Sequence, residues 1–104
     1  ADLEIKVGYP CLTNNPEITA WAKTKAIEML GEEYVHDLDL RMTAEDFAYY
    51  AQEIPAWFFR LGTSNKNKKI GAPLHTDRFD IDEDALKIGA SLMAVLAFKA
   101  LQEL

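Results

Sequence analysis

The chain has 104 residues, about one domain's worth, and its 49% hydrophobic and 11% aromatic content can build a core, which excludes a disordered-type composition. A net charge of −6, from 17 acidic against 11 basic side chains, argues against a nucleic-acid binder, which needs a basic face to draw in phosphates. The single cysteine, Cys11, rules out an internal disulfide, reads as a small buried hydrophobe and fits a reducing, cytoplasmic compartment.

Residues 1–10 lack the positive start and apolar run of a secretory signal. Leu3, Ile5 and Val7 alternate there with Glu4 and Lys6, the period of a strand with one buried face, and Gly8-Tyr9-Pro10 closes it. With no hairpin partner beside it, this strand must pair with a later segment or with one that is absent. Asn15-Pro16-Glu17 then opens a helix: a capping side chain, a proline at the first helical position and an acid in the first turn. Ile18, Trp21, Ala22, Ala26, Met29 and Leu30 form its apolar stripe, with Trp21 read as core, and Gly31 ends it.

Residues 34–40 read as a second strand, with His36, Leu38 and Leu40 on one face, so His36 is expected to be a hydrogen-bonded structural histidine. Thr43 stands where an N-cap belongs, and Asp46 can reach back to it as a capping-box variant, which predicts a helix over 44–53 stopped by Pro55. Ala56 to Leu61 is a nearly continuous apolar run, the pattern of a strand covered on both faces. From Gly62 to Ile81 no periodicity exists, and ordered domains seldom carry so long a loop without a use for it. Its basic cluster, Lys66-Asn67-Lys68-Lys69, reads as a solvated turn rather than an anion site. Asp82 caps the last helix, with Glu83 and Asp84 at its positive end and Leu86, Gly89, Leu92, Met93, Leu96, Ala100 and Leu101 on its apolar side. The tract from Ala85 to Leu101 carries Lys87 and Lys99 and is shorter than the about 20 residues of a bilayer span, so no membrane partner is expected. The order strand, helix, strand, helix, strand, loop, helix predicts an α/β layered domain with the first strand as an outlier.

His75 ends the irregular loop in the stretch Pro73-Leu74-His75-Thr76-Asp77-Arg78-Phe79-Asp80. A solvated histidine and a metal ligand both fit that place. Gly71 and Pro73 shape the approach, and Asp77 or Asp80 could orient the ring. A catalytic zinc needs about three protein ligands, and His75, His36 and scattered carboxylates without HxxxH or CxxC spacing do not complete a set. Glu45 and Asp46 are explained by capping and the helix dipole, or else by Glu45 facing a pocket at the helix start. Ser64 and Ser91 have no nucleophile elbow, and Gly62-Thr63-Ser64 is not a phosphate cradle.

Three blocks carry a resemblance: Met42 to Tyr50 (MTAEDFAYY), Pro55 to Gly62 (PAWFFRLG) and Leu74 to Leu86 (LHTDRFDIDEDAL). In order and spacing they resemble the closing part of the metallopeptidase-type amidohydrolases, which include hippurate hydrolase, N-acyl-amino-acid amidohydrolases, auxin-conjugate hydrolases and related carboxypeptidases. The resemblance implies the C-terminal portion of a helix–sheet–helix catalytic domain over residues 13–104. Residues 1–12 would be the last strand of an inserted lid or dimerisation domain and the return linker. It further implies two divalent ions (zinc, manganese, cobalt or nickel) in the intact enzyme, His75 as a metal ligand, and Glu45 and Thr43 beside the substrate. Thr43 stands where many relatives have glycine. Cys11 lies in the wrong segment to be the family's metal-binding cysteine. The implied substrate is a small N-acyl amino acid or peptide, and the implied partners are the remainder of the catalytic domain and a second subunit through the lid. The two ions would lower the pKa of a bridging water and polarise the scissile carbonyl, while a carboxylate on an upstream segment takes the proton. On that reading the isolated chain is inactive. The rival reading is a non-catalytic α/β interaction or regulatory module whose outlying strand adds to another sheet edge.

Overall fold

A computed structural model describes residues 1–104, and it contains three α-helices: α1 over Pro16–Leu30, α2 over Phe47–Glu53 and α3 over Asp84–Glu103. A short 3-10 turn, Glu32–Tyr34, follows α1. The chain divides into two compact units, Ala1–Phe58 and Phe59–Leu104.

In the first unit α1 begins where the capping signal places it. The Asn15 side chain accepts from the Ile18 amide at 3.0 Å, and Pro16 occupies the first turn, where no amide is missed. Gly31 ends the helix at φ 99, a backbone conformation that disfavours any side chain. A Cβ there would also lie 2.8 Å from the Glu33 carboxylate. Ala22 and Ala26 are the buried residues of α1, while Trp21 is only half-buried. The neighbouring Asn14 holds the segment after α2: its Oδ1 accepts from the Phe58 amide at 2.8 Å and its Nδ2 donates to the Phe58 carbonyl at 2.9 Å. The Asn15 amide adds a bond to the Ala56 carbonyl at 2.9 Å. Ala48 and Ala56 are buried, and the Phe47 and Phe58 rings pack with centroids 5.5 Å apart.

In the second unit Ala85, Leu92 and Leu96 are the buried face of α3. Leu61 lies against Gly89, where a Cβ would come within 2.7 Å of the leucine Cδ2. Three members of the expected stripe, Leu86, Met93 and Leu101, are exposed. The helix is apolar nearly all round, so the sequence pattern alone could not choose the buried side.

The α/β expectation is overturned. No strand ladder forms, and the sole β feature is an isolated antiparallel bridge between Asn65 and Ile70. Leu3, Ile5 and Val7 alternate as a strand would but are 84%, 77% and 95% exposed. Tyr34 belongs to the 3-10 turn, and Leu38 and Leu40 are exposed beyond it. The Phe58 backbone, within the third expected strand, is paired by an asparagine side chain instead of a neighbouring strand. Alternation specifies two faces, but a strand exists only through its ladder. Three further readings are corrected. Cys11 is exposed, not buried, and His36 is exposed rather than part of a leucine-lined face. Thr43 does not cap α2, which starts after Asp46 without a side-chain cap from that residue.

Candidate functional site

The chemistry-bearing loop of the second unit is built on a small hairpin. Asn65 and Ile70 exchange backbone bonds of 2.8 and 2.9 Å, and the Asn65 Oδ1 accepts from the Asn67 and Lys68 amides at 3.0 and 3.3 Å. Asparagine suits this place because its side chain closes a turn on the backbone that follows. Lys69 completes the turn at φ 57. Where the chain returns, the Asp82 amide donates to the Thr63 carbonyl at 2.8 Å.

Asp82 is the hub of this region. Its Oδ1 accepts from the Lys68 ammonium at 2.6 Å and from the Asp84 amide at 3.3 Å, and its Oδ2 accepts from the Asn65 side-chain amide. Lys68 also reaches Asp84 Oδ2 at 2.9 Å. The hydrogen bond to Asp82 is the main cause, and that to Asp84 the second, of a Lys68 pKa raised above the ordinary lysine value. The Lys68 bond, and then the Asn65 bond, hold the Asp82 carboxyl below its usual range. Asp82 lies one residue outside the expected cap position, which Glu83 fills without a side-chain cap bond, and it accepts from the amide of the first helical residue, Asp84. Residues 66–69 are all exposed, as a solvated turn requires, and Lys68 is in addition ion-paired to Asp82 and Asp84.

Between these anchors the loop carries His75. Its backbone is left-handed at φ 63, a region that histidine enters more readily than most residues, and its side chain is exposed. The Thr76 hydroxyl donates to the Pro73 carbonyl at 2.8 Å and the Phe79 amide to the Thr76 carbonyl at 3.2 Å, so two turns fold the tip. The Asp80 carboxylate accepts from the Ile81 amide at 2.8 Å and is engaged by the loop's own backbone. A shallow, open depression beside the hairpin is lined by Lys68, Ile70 and the run Asp80 to Asp84, and His75 is not in its wall.

Glu45 and Thr43 belong to the first unit. Glu45 is half-buried, and its Oε1 accepts from the Phe47 amide at 3.2 Å, so Glu45, not Asp46, satisfies a free amide of α2. Thr43 is exposed.

No group of three His, Cys, Asp or Glu side chains in the chain could hold a metal ion. The donors present therefore do not fit a complete metal site, and no reaction step is derived through one. Asn14, Asn65 and Lys68, which organise the two units, were missed as functional positions. Adjacent Asn14-Asn15 before a helix, and Asn65 three residues before a lysine in a turn-rich stretch, were the available signals.

Residues 1–99 match Peptidase family M20/M25/M40, and the chain belongs to that family. It is 39% identical over 94 residues to the IAA-amino acid hydrolase ILR1-like 5 of Arabidopsis thaliana, a match that covers 89% of this chain and 21% of the relative. Thermostable carboxypeptidase 2 of Saccharolobus solfataricus is 38% identical over 92 residues, covering 88% of this chain and 22% of its own. A second plant protein, IAA-amino acid hydrolase ILR1-like 4 of Arabidopsis thaliana, is 35% identical over 101 residues, or 97% of this chain and 23% of the relative. The chain spans about a fifth of the length of these curated relatives. No solved structure matches it. The family is one of peptidases and amidohydrolases that are generally metal-dependent. No helix of the chain is long and apolar enough to cross a membrane.

Proposed function

We propose that this chain is the C-terminal part of a cytoplasmic metal-dependent enzyme that hydrolyses the amide bond of N-acyl amino acids or small peptides. The observation that carries the reading is the family match over residues 1–99, within which His75 stands on an exposed, turn-folded loop tip. The relatives' names support the substrate class: some are named IAA-amino acid hydrolases and others carboxypeptidases. Residues 1–12 would belong to the lid or dimerisation domain, through which the subunits pair, and residues 13–104 to the catalytic domain.

In this reading His75 contributes one neutral imidazole to a site holding two divalent ions, and the other donors come from beyond these residues. That division of labour is consistent with the absence of a three-donor group within the chain. The ions would supply Lewis-acid polarisation of the scissile carbonyl. Glu45 and Thr43 would lie beside the substrate. Glu45 must then serve twice, because one of its oxygens already accepts from the Phe47 amide. The isolated 104 residues, with an incomplete donor set, would be inactive.

The test is His75→Ala in the full-length protein, with bound metal measured by elemental analysis and turnover followed on an N-acyl amino acid. Removing one of about three ligands should lower metal affinity and activity by at least about 100-fold. The exposed imidazole makes no bond that the fold depends on, so the stability lost should not exceed about 1 kcal/mol, chiefly from placing alanine in left-handed backbone. Full metal content with near-normal turnover would remove His75 from the site.

A further inference from the structure

We propose that Asn65, Lys68 and Asp82 are positioning residues that hold both ends of the loop 71–81 and so fix where it presents His75. The bonds inside the loop, Thr76 to Pro73 and Phe79 to Thr76, set the shape of its tip but do not tie it to the rest of the unit. Its ends do that. Ile70, where the loop departs, is bridged to Asn65, and Asp82, where the loop returns, is bonded through its amide to Thr63.

The side chains then lock the two ends to each other. Asn65 and Lys68, both on the departing hairpin, converge on the two oxygens of the single Asp82 carboxylate at the return. Lys68 extends the link to Asp84 in the first turn of α3, so the hairpin is fastened to the rigid helix and not merely to another loop residue. Of the ion-paired side chains, Asp82 is 13% exposed and Lys68 50%. The carboxylate at the centre is therefore shielded better than an ordinary surface pair, and its second oxygen is also engaged. Fixing both ends of an irregular segment removes most of the arrangements its tip could otherwise take. A ligand side chain must be held within a fraction of an ångström by the residues behind it, and this network joins the loop's two ends through three charged or polar side chains.

The connection to metal binding rests on the proposed role of His75, whereas the clamp itself does not. Lys68→Met keeps the apolar stem and removes the ammonium; Lys68→Arg restores donors for both carboxylates. Peptide-resolved hydrogen exchange on the full-length protein should show residues 71–81 exchanging about three- to tenfold faster in Lys68→Met, with α1 unaffected and Lys68→Arg close to wild type. Competition against a chelator should show metal affinity falling by a similar factor in Lys68→Met and recovering in Lys68→Arg. Unchanged exchange over 71–81 in both Lys68→Met and Asn65→Leu would overturn the proposal. His75→Ala separates the two ideas. If it abolishes metal binding while Lys68→Met leaves affinity untouched, His75 is a ligand and the positioning role is wrong. If His75→Ala does not alter metal binding, the ligand reading fails and faster loop exchange in Lys68→Met still supports the clamp.

Discussion

The N-terminal ends of α1 and α3 solve the same problem with different chemistry. Before α1, two neutral amides do the work: Asn15 caps the helix, and Asn14 pairs with both backbone groups of Phe58. Before α3, the work is done by charge: Asp82 accepts from the Asp84 amide at the helix start as well as from Lys68 and Asn65. In each case one residue at a helix start also ties down a distant stretch of chain, 44 residues away for Asn14 and 14 away for Asp82 with Lys68. The neutral version does not respond to pH, and salt barely touches it. The charged version is open to both, and it guards the loop that carries His75.

The largest effect expected from breaking this comparison is at Asn14. Asn14→Ala would leave the part-buried amide and carbonyl of Phe58 without their partner, which costs about 2–3 kcal/mol because both groups lose a bond and not merely a contact. Denaturant unfolding at low and high salt should give the same loss at both. A loss that depends on salt would place the start of α1 with the charged type.

Asn15→Ala comes next, at about 1 kcal/mol, the usual contribution of an N-cap side chain. Its backbone bonds to Ala56 and Thr19 survive the substitution, so the damage should stay within the first turn of α1. Hydrogen exchange of the Ile18 amide, which loses its acceptor, reads it directly. Protection of that amide left intact would show that the side chain is not the cap.

The same contrast explains what could be read from the sequence. Asn15-Pro16-Glu17 and Gly31 are local signals, complete within a turn of helix, and they marked α1 correctly. The predicted sheet does not form, because Leu3-Ile5-Val7 and Ala56–Leu61 declare faces without declaring partners, and pairing is a long-range property. Thr43 and Asp46 satisfied a capping pattern that Glu45 in fact fills, since several nearby oxygens compete for the same free amides and only geometry chooses among them. At the candidate site, His75 was marked out for its proposed role by the blocks around it. Its anchors were not, because Lys68 lay hidden in a run of lysines that composition alone assigns to solvent.

The smallest effect is the one that tests the charged helix start by itself. Asp82 has a carboxyl held below its ordinary value, chiefly by Lys68 and then by Asn65. A depressed folded-state pKa contributes stability that is complete above the unfolded value and is lost as the pH falls through the folded one. Lys68, raised above the ordinary lysine value, contributes stability that is complete below that ordinary value and lost only in strong alkali. The clamp should therefore be intact across neutral pH and weaken only as the pH drops below about 4, the ordinary range of an aspartate. Asp84, the second partner of Lys68, and Asp80 and Glu83 border the same depression. Exchange over residues 71–81, corrected for the intrinsic pH dependence of amide exchange, should rise in that window while the first turn of α1 keeps its protection. In Lys68→Met the rise should be largely absent, because the interaction that protonation would break is already gone. An equal acid response in α1 and in the loop would mean that acid opens the chain as a whole, and that the neutral and charged helix starts differ in composition but not in behaviour.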